Sequence, residues 1–222
     1  FTHTDNPKYR DRLDATFRSL KEDGCDVLGV VSDACKPEEA TRTVDQVLGE
    51  KGAIHVLVVN VGQNRVRPAE EKSDAEWLDM IHINLSSAFY GVRAVLPPML
   101  DAGRGKIILI GSSVVFDGGG GAIDYASAKA GMVGMMGYPV RNYARKGIAT
   151  NVIHPCVVET DLLRERYDTE EKKQGLISQV PIGRLSQPKD VAGLAAFLAS
   201  EWGDFICGQV LLVDGGRTFY KG

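Results

Sequence analysis

The strongest constraint on this chain is an alternation. Short apolar runs rich in Val and Ile recur along its 222 residues, and longer amphipathic segments separate them. The run "IHVLVVNVG" (Ile54 to Gly62) has no polar face, so it reads as a strand covered on both sides. "DVLGVVSD" (Asp26 to Asp33), "GKIILIGSS" (Gly105 to Ser113), "GIATNVIHP" (Gly147 to Pro155) and "GQVLLVDGG" (Gly208 to Gly216) read as further strands. Between them lie predicted helices. The first runs from about Lys8 to Asp23, with Leu13, Phe17 and Leu20 on one stripe and Gly24 at its end. "PEEATRTVDQVLGE" has Pro37 near its first turn, and Asp74 to Leu100 is one long helical stretch, bent near Asn84. A helix follows the glycine run Gly118 to Gly121, and another covers Lys189 to Ser200. Strand–helix alternation from end to end predicts an α/β fold, a doubly wound parallel sheet in a single domain over residues 1–222.

Composition narrows the function classes. The chain is 44% hydrophobic and 25% charged, with 26 basic against 29 acidic residues and a net charge of -3. This gives no electrostatic case for nucleic acid or an anionic membrane. No apolar run reaches the roughly 18 residues of a membrane span, and Phe1 opens a polar stretch unlike a signal peptide. The four cysteines, Cys25, Cys35, Cys156 and Cys207, are scattered without a metal-ligand spacing. That argues against zinc and for a reducing, cytoplasmic setting.

In a doubly wound sheet, ligands sit beyond the carboxyl ends of the strands. Those ends deliver Asn60 and Gly62, then Ser112, then Cys156 to Thr160. The stretch "DYASAKAGMVG" (Asp124 to Gly134) follows, with Tyr125 and Lys129 four positions apart on one helix face. A free phenol, with a pKa of about 10, exchanges protons poorly at neutral pH. A neighbouring ammonium is expected to lower that value, and Ser112 to hold a substrate oxygen beside the phenol. Together they make a proton relay for carbonyl/alcohol interconversion, with hydride supplied by a nicotinamide cofactor. Alone, the pair would be an aromatic and a charge on a surface helix. Joined by Ser112, Asn84, Asn60, Thr160 and Asp33, it reads as a site.

These residues resemble the short-chain dehydrogenase/reductase family, in its 3-oxoacyl-acyl-carrier-protein-reductase-like subgroup. The family's Tyr-x-x-x-Lys matches Tyr125 and Lys129, its serine matches Ser112 rather than Ser113, and its helix asparagine matches Asn84 in "INLSS". Asn-Asn-Ala-Gly appears as "VNVG", where only Asn60 and Gly62 match, and Asp-Val-x-Asp as "DACK", where Asp33 matches. Pro-Gly-x-x-x-Thr appears as "PCVVET": Pro155 and Thr160 match, and Cys156 replaces the glycine. The resemblance covers essentially the whole chain and implies a Rossmann-like domain. It implies Tyr125 as the catalytic acid/base, with Lys129 lowering its pKa and holding the nicotinamide ribose. Ser112 would position the substrate oxygen, and Asn84 would anchor a water linking Lys129 to solvent. Asp33 would meet the adenine ring, Asn60, Gly62 and Pro155 would line the cofactor site, and Thr160 would contact the carboxamide. The implied cofactor is NAD or NADP, with no metal. A homotetramer or homodimer is implied, built on the helices around Asn84 and after Tyr125. A substrate lid is implied at about 161–185, containing the charged stretch Arg164 to Gln174, with Leu162, Leu163 and Leu176 to close over substrate.

The family's glycine-rich Thr-Gly-x-x-x-Gly-x-Gly turn and first strand–helix unit are not in the sequence. Some tens of residues are therefore expected to precede Phe1 in the molecule; a purified mass well above 24.1 kDa would agree, and 24.1 kDa would not. In the loop "HTDNPK", Asp5 leans toward NAD, with Lys8 nearby. Arg65 and Arg67 either grip an anionic substrate or belong to a solvated loop. The four glycines before Tyr125 are expected to give a flexible wall, and Phe116 or Asp117 to reach the pocket. Cys156 reads as a small lining residue and Ser113 as packing. His154 reads as a strand residue with a satisfied hydrogen bond, and His82 as an ordinary helix residue. The substrate class stays open between a 3-oxoacyl thioester and a small polyol, sugar or hydroxy acid. A non-catalytic dinucleotide-binding protein is the alternative from another class. A Ser112 hydrolase lacks the G-x-S-x-G elbow.

Overall fold

The computed structural model describes residues 1–4, 6–7, 10–118, 122–160, 163 and 169–220. In chain order these form β1 (Thr2–His3), α1 (Arg10–Glu22), β2 (Val30–Val31), α2 (Pro37–Lys51), β3 (Val56–Val59), α3 (Asp74–Ile81), α4 (Ser87–Asp101) and β4 (Gly105–Ile110). There follow α5 (Val114–Asp117), α6 (Ile123–Tyr143), β5 (Ile148–Pro155), α7 (Glu170–Ile177), α8 (Pro188–Ala199) and β6 (Val210–Val213). Every strand pair is parallel. β3, β4, β5 and β6 lie side by side in that order, and β1 pairs with β2 as a separate ribbon. The α/β parallel fold is as the alternation predicts, with its sheet in two pieces.

Period two decides how the larger sheet is covered. Ile107 and Leu109 of β4 turn to one face, where they pack with Val92, Val95 and Met99 of α4 and Met132 and Met136 of α6. Ile108 and Ile110 turn to the other and meet Leu198, Val191 and Leu194 of α8. Each such side chain contributes about 1.5–3 kcal/mol when fully buried. β3 departs from the expected double burial: Val58 is 47% exposed, because on its face it borders a cleft rather than a packed helix.

The strands are shorter than the apolar runs that announce them. β2 keeps only Val30 and Val31 of the run Asp26 to Asp33, paired with Thr2 and His3 of β1. β4 stops at Ile110 and β6 at Val213, so Gly111 to Ser113 and Asp214 to Gly216 lie past the named strands. The helical stretch from Asp74 bends as expected, through a π-turn over His82–Ser86. A capping box between Ser73 and Glu76 starts it, and Asn84 inside the π-turn is fully buried. A π insertion adds a residue to one turn and so rotates a side chain off the regular face. α1 ends at Gly24 in the left-handed region (φ 77°), while Lys8 lies outside the described residues. No helix among the described residues is long and apolar enough to cross a membrane, and all four cysteines are free thiols.

At the opposite end of the sheet from the cleft, Gly147 turns the chain from α6 into β5 at φ 84°. A Cβ there would lie 1.9 Å from the Gly103 carbonyl oxygen, and the Gly147 carbonyl accepts the Gly105 N–H. Gly147→Ala combines a disfavoured backbone with a main-chain collision. It should cost about 2–4 kcal/mol of stability, read as a lowered urea midpoint.

Candidate active site

The carboxyl ends of β3, β4 and β5 open on a cleft of about 620 Å³. Asn60 and Gly62 reach it from β3, Ser112 from β4, Tyr125 and Lys129 from α6, and Pro155, Cys156 and Thr160 from β5. Val191, Ala192 and Ala195 of α8, and Gln63 and Asn64 after β3, also line it; the sequence reading did not single these out. Asp33 is not in this cleft. It stands exposed at the end of β2, in a separate hollow of about 420 Å³ with Thr4 and Asn6, and its carboxylate accepts the Cys35 N–H at 3.0 Å.

Lys129 is 3% exposed, and its ammonium donates to the Ile110 carbonyl oxygen at 2.9 Å. Burial pushes its pKa down to about 8. The ammonium lies 5.7 Å from the centre of the Tyr125 ring. Burial pushes the Tyr125 phenol above its ordinary value, and a hydrogen bond with Ser112 pulls it back only in part. The expected pull of Lys129 on the phenol is not among the causes of this shift. The ammonium is engaged with a main-chain oxygen, and desolvation of the phenolate outweighs the pull of its surroundings. At neutral pH Tyr125 therefore holds its proton.

Asn84 sits under the cleft. Its Oδ1 accepts the Gln63 N–H at 3.1 Å, and its Nδ2 donates to the carbonyls of Gln63 at 2.9 Å and Met80 at 3.0 Å. Both amide protons are thus committed to main-chain oxygens, fastening the loop after β3 to the π-turn. Gly62 is packed against the same cluster: a Cβ there would lie 2.8 Å from Asn84 Oδ1 and 3.3 Å from Lys129 Nζ. A second clamp is the buried pair Lys72–Asp124, at 2.5 Å. Lys72 also donates to the Arg65 carbonyl, and Asp124 accepts the Tyr125 N–H at 2.8 Å. The pair ties the loop before α3 to the first turn of α6; neither residue stood out in the sequence, because Lys and Asp are ordinarily solvent-facing. Arg65 pairs with Asp79, and Arg67 with Glu76 at 3.1 Å, so both arginines lie along α3.

His154 proves less ordinary than its sequence reading. It is fully buried on β5, and its Nδ1 accepts the Ser112 N–H at 2.7 Å. Burial first, and then the nearby Lys129 charge, push its pKa down to about 4. The only trace in the sequence was an imidazole between Ile153 and Pro155 near the end of a largely apolar strand. Cys156 lines the cleft as expected and also takes a hydrogen bond from Arg217. Ser113 is buried packing, its N–H on the Pro155 carbonyl, and His82 rests edge-on against Tyr90. Phe116 meets His154 edge-on; neither it nor Asp117 is among the cleft-lining residues. Leu163 and Leu176 are half-buried. Asp5, Gly119 to Gly121, Leu162 and Arg164 to Asp168 lie outside the described residues.

The lowered Lys129 pKa has a measurable sign. Between about pH 8 and the ordinary lysine range the unfolded chain holds this proton and the folded chain does not, so stability rises with pH. Relative to Lys129→Met, the native chain should gain up to about 3 kcal/mol across that window. Chemical denaturation of both proteins at pH 7 and pH 10 reads the difference.

The family profile described as enoyl-(acyl carrier protein) reductase matches residues 5–218. The 3-oxoacyl-[acyl-carrier-protein] reductase FabG of Escherichia coli K12 is 37% identical over 193 residues, 87% of this chain and 78% of that protein. The (2S)-[(R)-hydroxy(phenyl)methyl]succinyl-CoA dehydrogenase subunit BbsD of Thauera aromatica is 34% identical over 96% of this chain and 84% of its own length. Among solved structures, a gluconate 5-dehydrogenase from Burkholderia cenocepacia J2315, in complex with NADP and tartrate, superposes with a TM-score of 0.89 at 29% identity. That match covers 99% of this chain and 86% of the other. With these relatives and this fold, the chain belongs to the short-chain dehydrogenase/reductase family and is an NAD(P)-dependent oxidoreductase.

Proposed function

We propose that the chain moves hydride between NAD(P) and a secondary alcohol or its ketone, with Tyr125 as acid and base at the substrate oxygen. The observation that carries this reading is the convergence of Ser112, Tyr125 and Lys129 on one cleft at the carboxyl ends of the strands. In the reductive direction Ser112 Oγ holds the carbonyl oxygen and Tyr125 Oη gives it a proton. In the oxidative direction the same phenolic oxygen takes the proton of the alcohol. A phenol raised by burial keeps its proton at neutral pH, which suits the reductive step.

The residues present fit the nicotinamide end of the cofactor. Lys129 has three protons to donate and the Ile110 carbonyl takes one, which leaves donors for ribose hydroxyls. Gly62 is packed so closely that any side chain would strike Asn84, and Asn60, Pro155 and Thr160 line the remaining wall. When bound, the cofactor supplies or accepts the hydride. Asp33 stays in this reading as the contact for the adenine end, and Asn84 as the residue that shapes the loop over the cofactor. Residues 161–185 serve as the substrate lid. Homodimer or homotetramer formation through α3, α4 and α6 belongs to the same reading, supported by the exposed Leu78, Phe89 and Tyr138. A cytoplasmic setting is supported by the four free thiols.

For the substrate we favour a 3-oxoacyl thioester, because FabG and BbsD, at 37% and 34% identity, are both named for acyl-carrier-protein or CoA compounds. A sugar acid or polyol is the second reading, supported by the gluconate dehydrogenase at 29% identity. That structure's NADP stands against the NAD leaning of Asp5, so both cofactors belong in the assay. Following nicotinamide absorbance with acetoacetyl-CoA and with gluconate, each with NAD(H) and NADP(H), should give turnover on the thioester. Turnover on gluconate alone would favour the second reading, and cofactor binding without any turnover the non-catalytic alternative. On whichever substrate is active, Tyr125→Phe should cut kcat by about 10²-fold or more, leaving the cofactor Kd within about twofold. Normal turnover of that variant would refute the role given to Tyr125.

A further inference from the structure

We propose that His154 is a positioning residue for Ser112, its neutral imidazole fixing the strand-end turn that aims the serine hydroxyl at Tyr125. The proposal rests on the reading in which Ser112 holds the substrate oxygen.

The argument begins with the ladder between β4 and β5. Gly111 N–H reaches the Ile153 carbonyl at 2.7 Å, and Ser113 N–H reaches the Pro155 carbonyl at 2.9 Å. The amide between these two has no main-chain acceptor among the described residues. A buried amide without an acceptor is costly. The Ser112 N–H is answered instead by a side chain from β5, His154 Nδ1, at 2.7 Å. The main chain at Ser112 is therefore set by an imidazole 42 residues away, while its side chain lines the cleft together with Tyr125.

Further observations show that the ring is built in for this contact. It is fully buried. Gly111 is shaped around it, since a Cβ at that position would lie 2.3 Å from Nδ1 and 2.4 Å from Cε1. The bond also requires a neutral ring with its proton on Nε2. Burial and the Lys129 charge enforce that neutrality, although Nε2 has no hydrogen-bond partner among the described residues. The Phe116 ring meets the imidazole edge-on at 5.6 Å between centroids. A ring that leaves one buried nitrogen unanswered is not explained by packing alone; the Nδ1 contact gives it a task.

The test uses the full chain, with cofactor and whichever substrate proves active. His154→Leu keeps the apolar volume and removes the acceptor, whereas His154→Asn carries a carbonyl oxygen near the position of Nδ1. His154→Leu should lower kcat about five- to tenfold with the cofactor Kd unchanged, and His154→Asn should stay within about twofold of the native chain. Gly111→Ala reaches the same contact from the other side by displacing the ring, and should lower kcat like His154→Leu. Because His154 acts through Ser112, Ser112→Ala and the double variant Ser112→Ala/His154→Leu should be equally slow. Native kcat in His154→Leu or Gly111→Ala would overturn the proposal. So would equal impairment of the Leu and Asn variants, or additive losses in the double variant. Native turnover in Ser112→Ala would instead show that the underlying reading of Ser112 is wrong, and the proposal would fall with it.

Discussion

A lysine ammonium enclosed by protein at the end of β4 is the charge around which this site is organised. Lys129 has a main-chain carbonyl, Ile110, for a hydrogen-bond partner, and removal from water weakens its hold on the proton until its pKa falls to about 8. The charge can sit there because α6 is pressed against the sheet by Met132 and Met136. Gly131 lets Leu85 approach where a Cβ would lie 2.7 Å from the leucine. The protonation states nearby follow from this burial. His154 stays neutral, partly because Lys129 is charged, and a neutral ring is what allows Nδ1 to accept from Ser112. Tyr125 keeps its proton because its own desolvation is the larger effect.

Two polar clamps hold the wall of the cleft opposite β5. Asn84 grips Gln63 by both its main-chain groups, and Lys72–Asp124 joins the loop before α3 to the start of the Tyr125 helix. Neither is a strong source of net stability, since a buried ion pair gives back most of its attraction in lost hydration. Their effect is geometric: each leaves a costly unpaired group if the loop moves. The loop that follows Asn60 and Gly62 is thereby held in one arrangement beside Lys129, a requirement for a site that must align two reactants.

The fold class, the strand ends and the cluster Ser112, Tyr125, Lys129, Asn60, Gly62 and Thr160 were legible in the chain because they rest on local patterns. Apolar runs, period two and a four-residue spacing are properties of neighbours in sequence, and backbone geometry converts them directly into faces and ends. The bend at Asn84 was legible too, though its form as a π-turn was not. Strand lengths were misread at Val30–Val31, where pairing stops after two residues, and after Ile110, where the chain leaves the ladder to build the site. Burial was overstated at Val58, whose composition matches its buried neighbours but whose face borders the cleft.

What depended on packing was the electrostatics and the long-range contacts. Ser112 and His154 are 42 residues apart, and Lys72 and Asp124 are 52 apart; no periodicity links such pairs. The rise of the Tyr125 pKa is likewise a property of enclosure, not of having lysine four residues on. Short-range spacing says which groups share a helix face. Whether a charge, a carbonyl or an apolar wall lies opposite them is set when distant segments close over one another and exclude water, and that exclusion fixes where each proton resides.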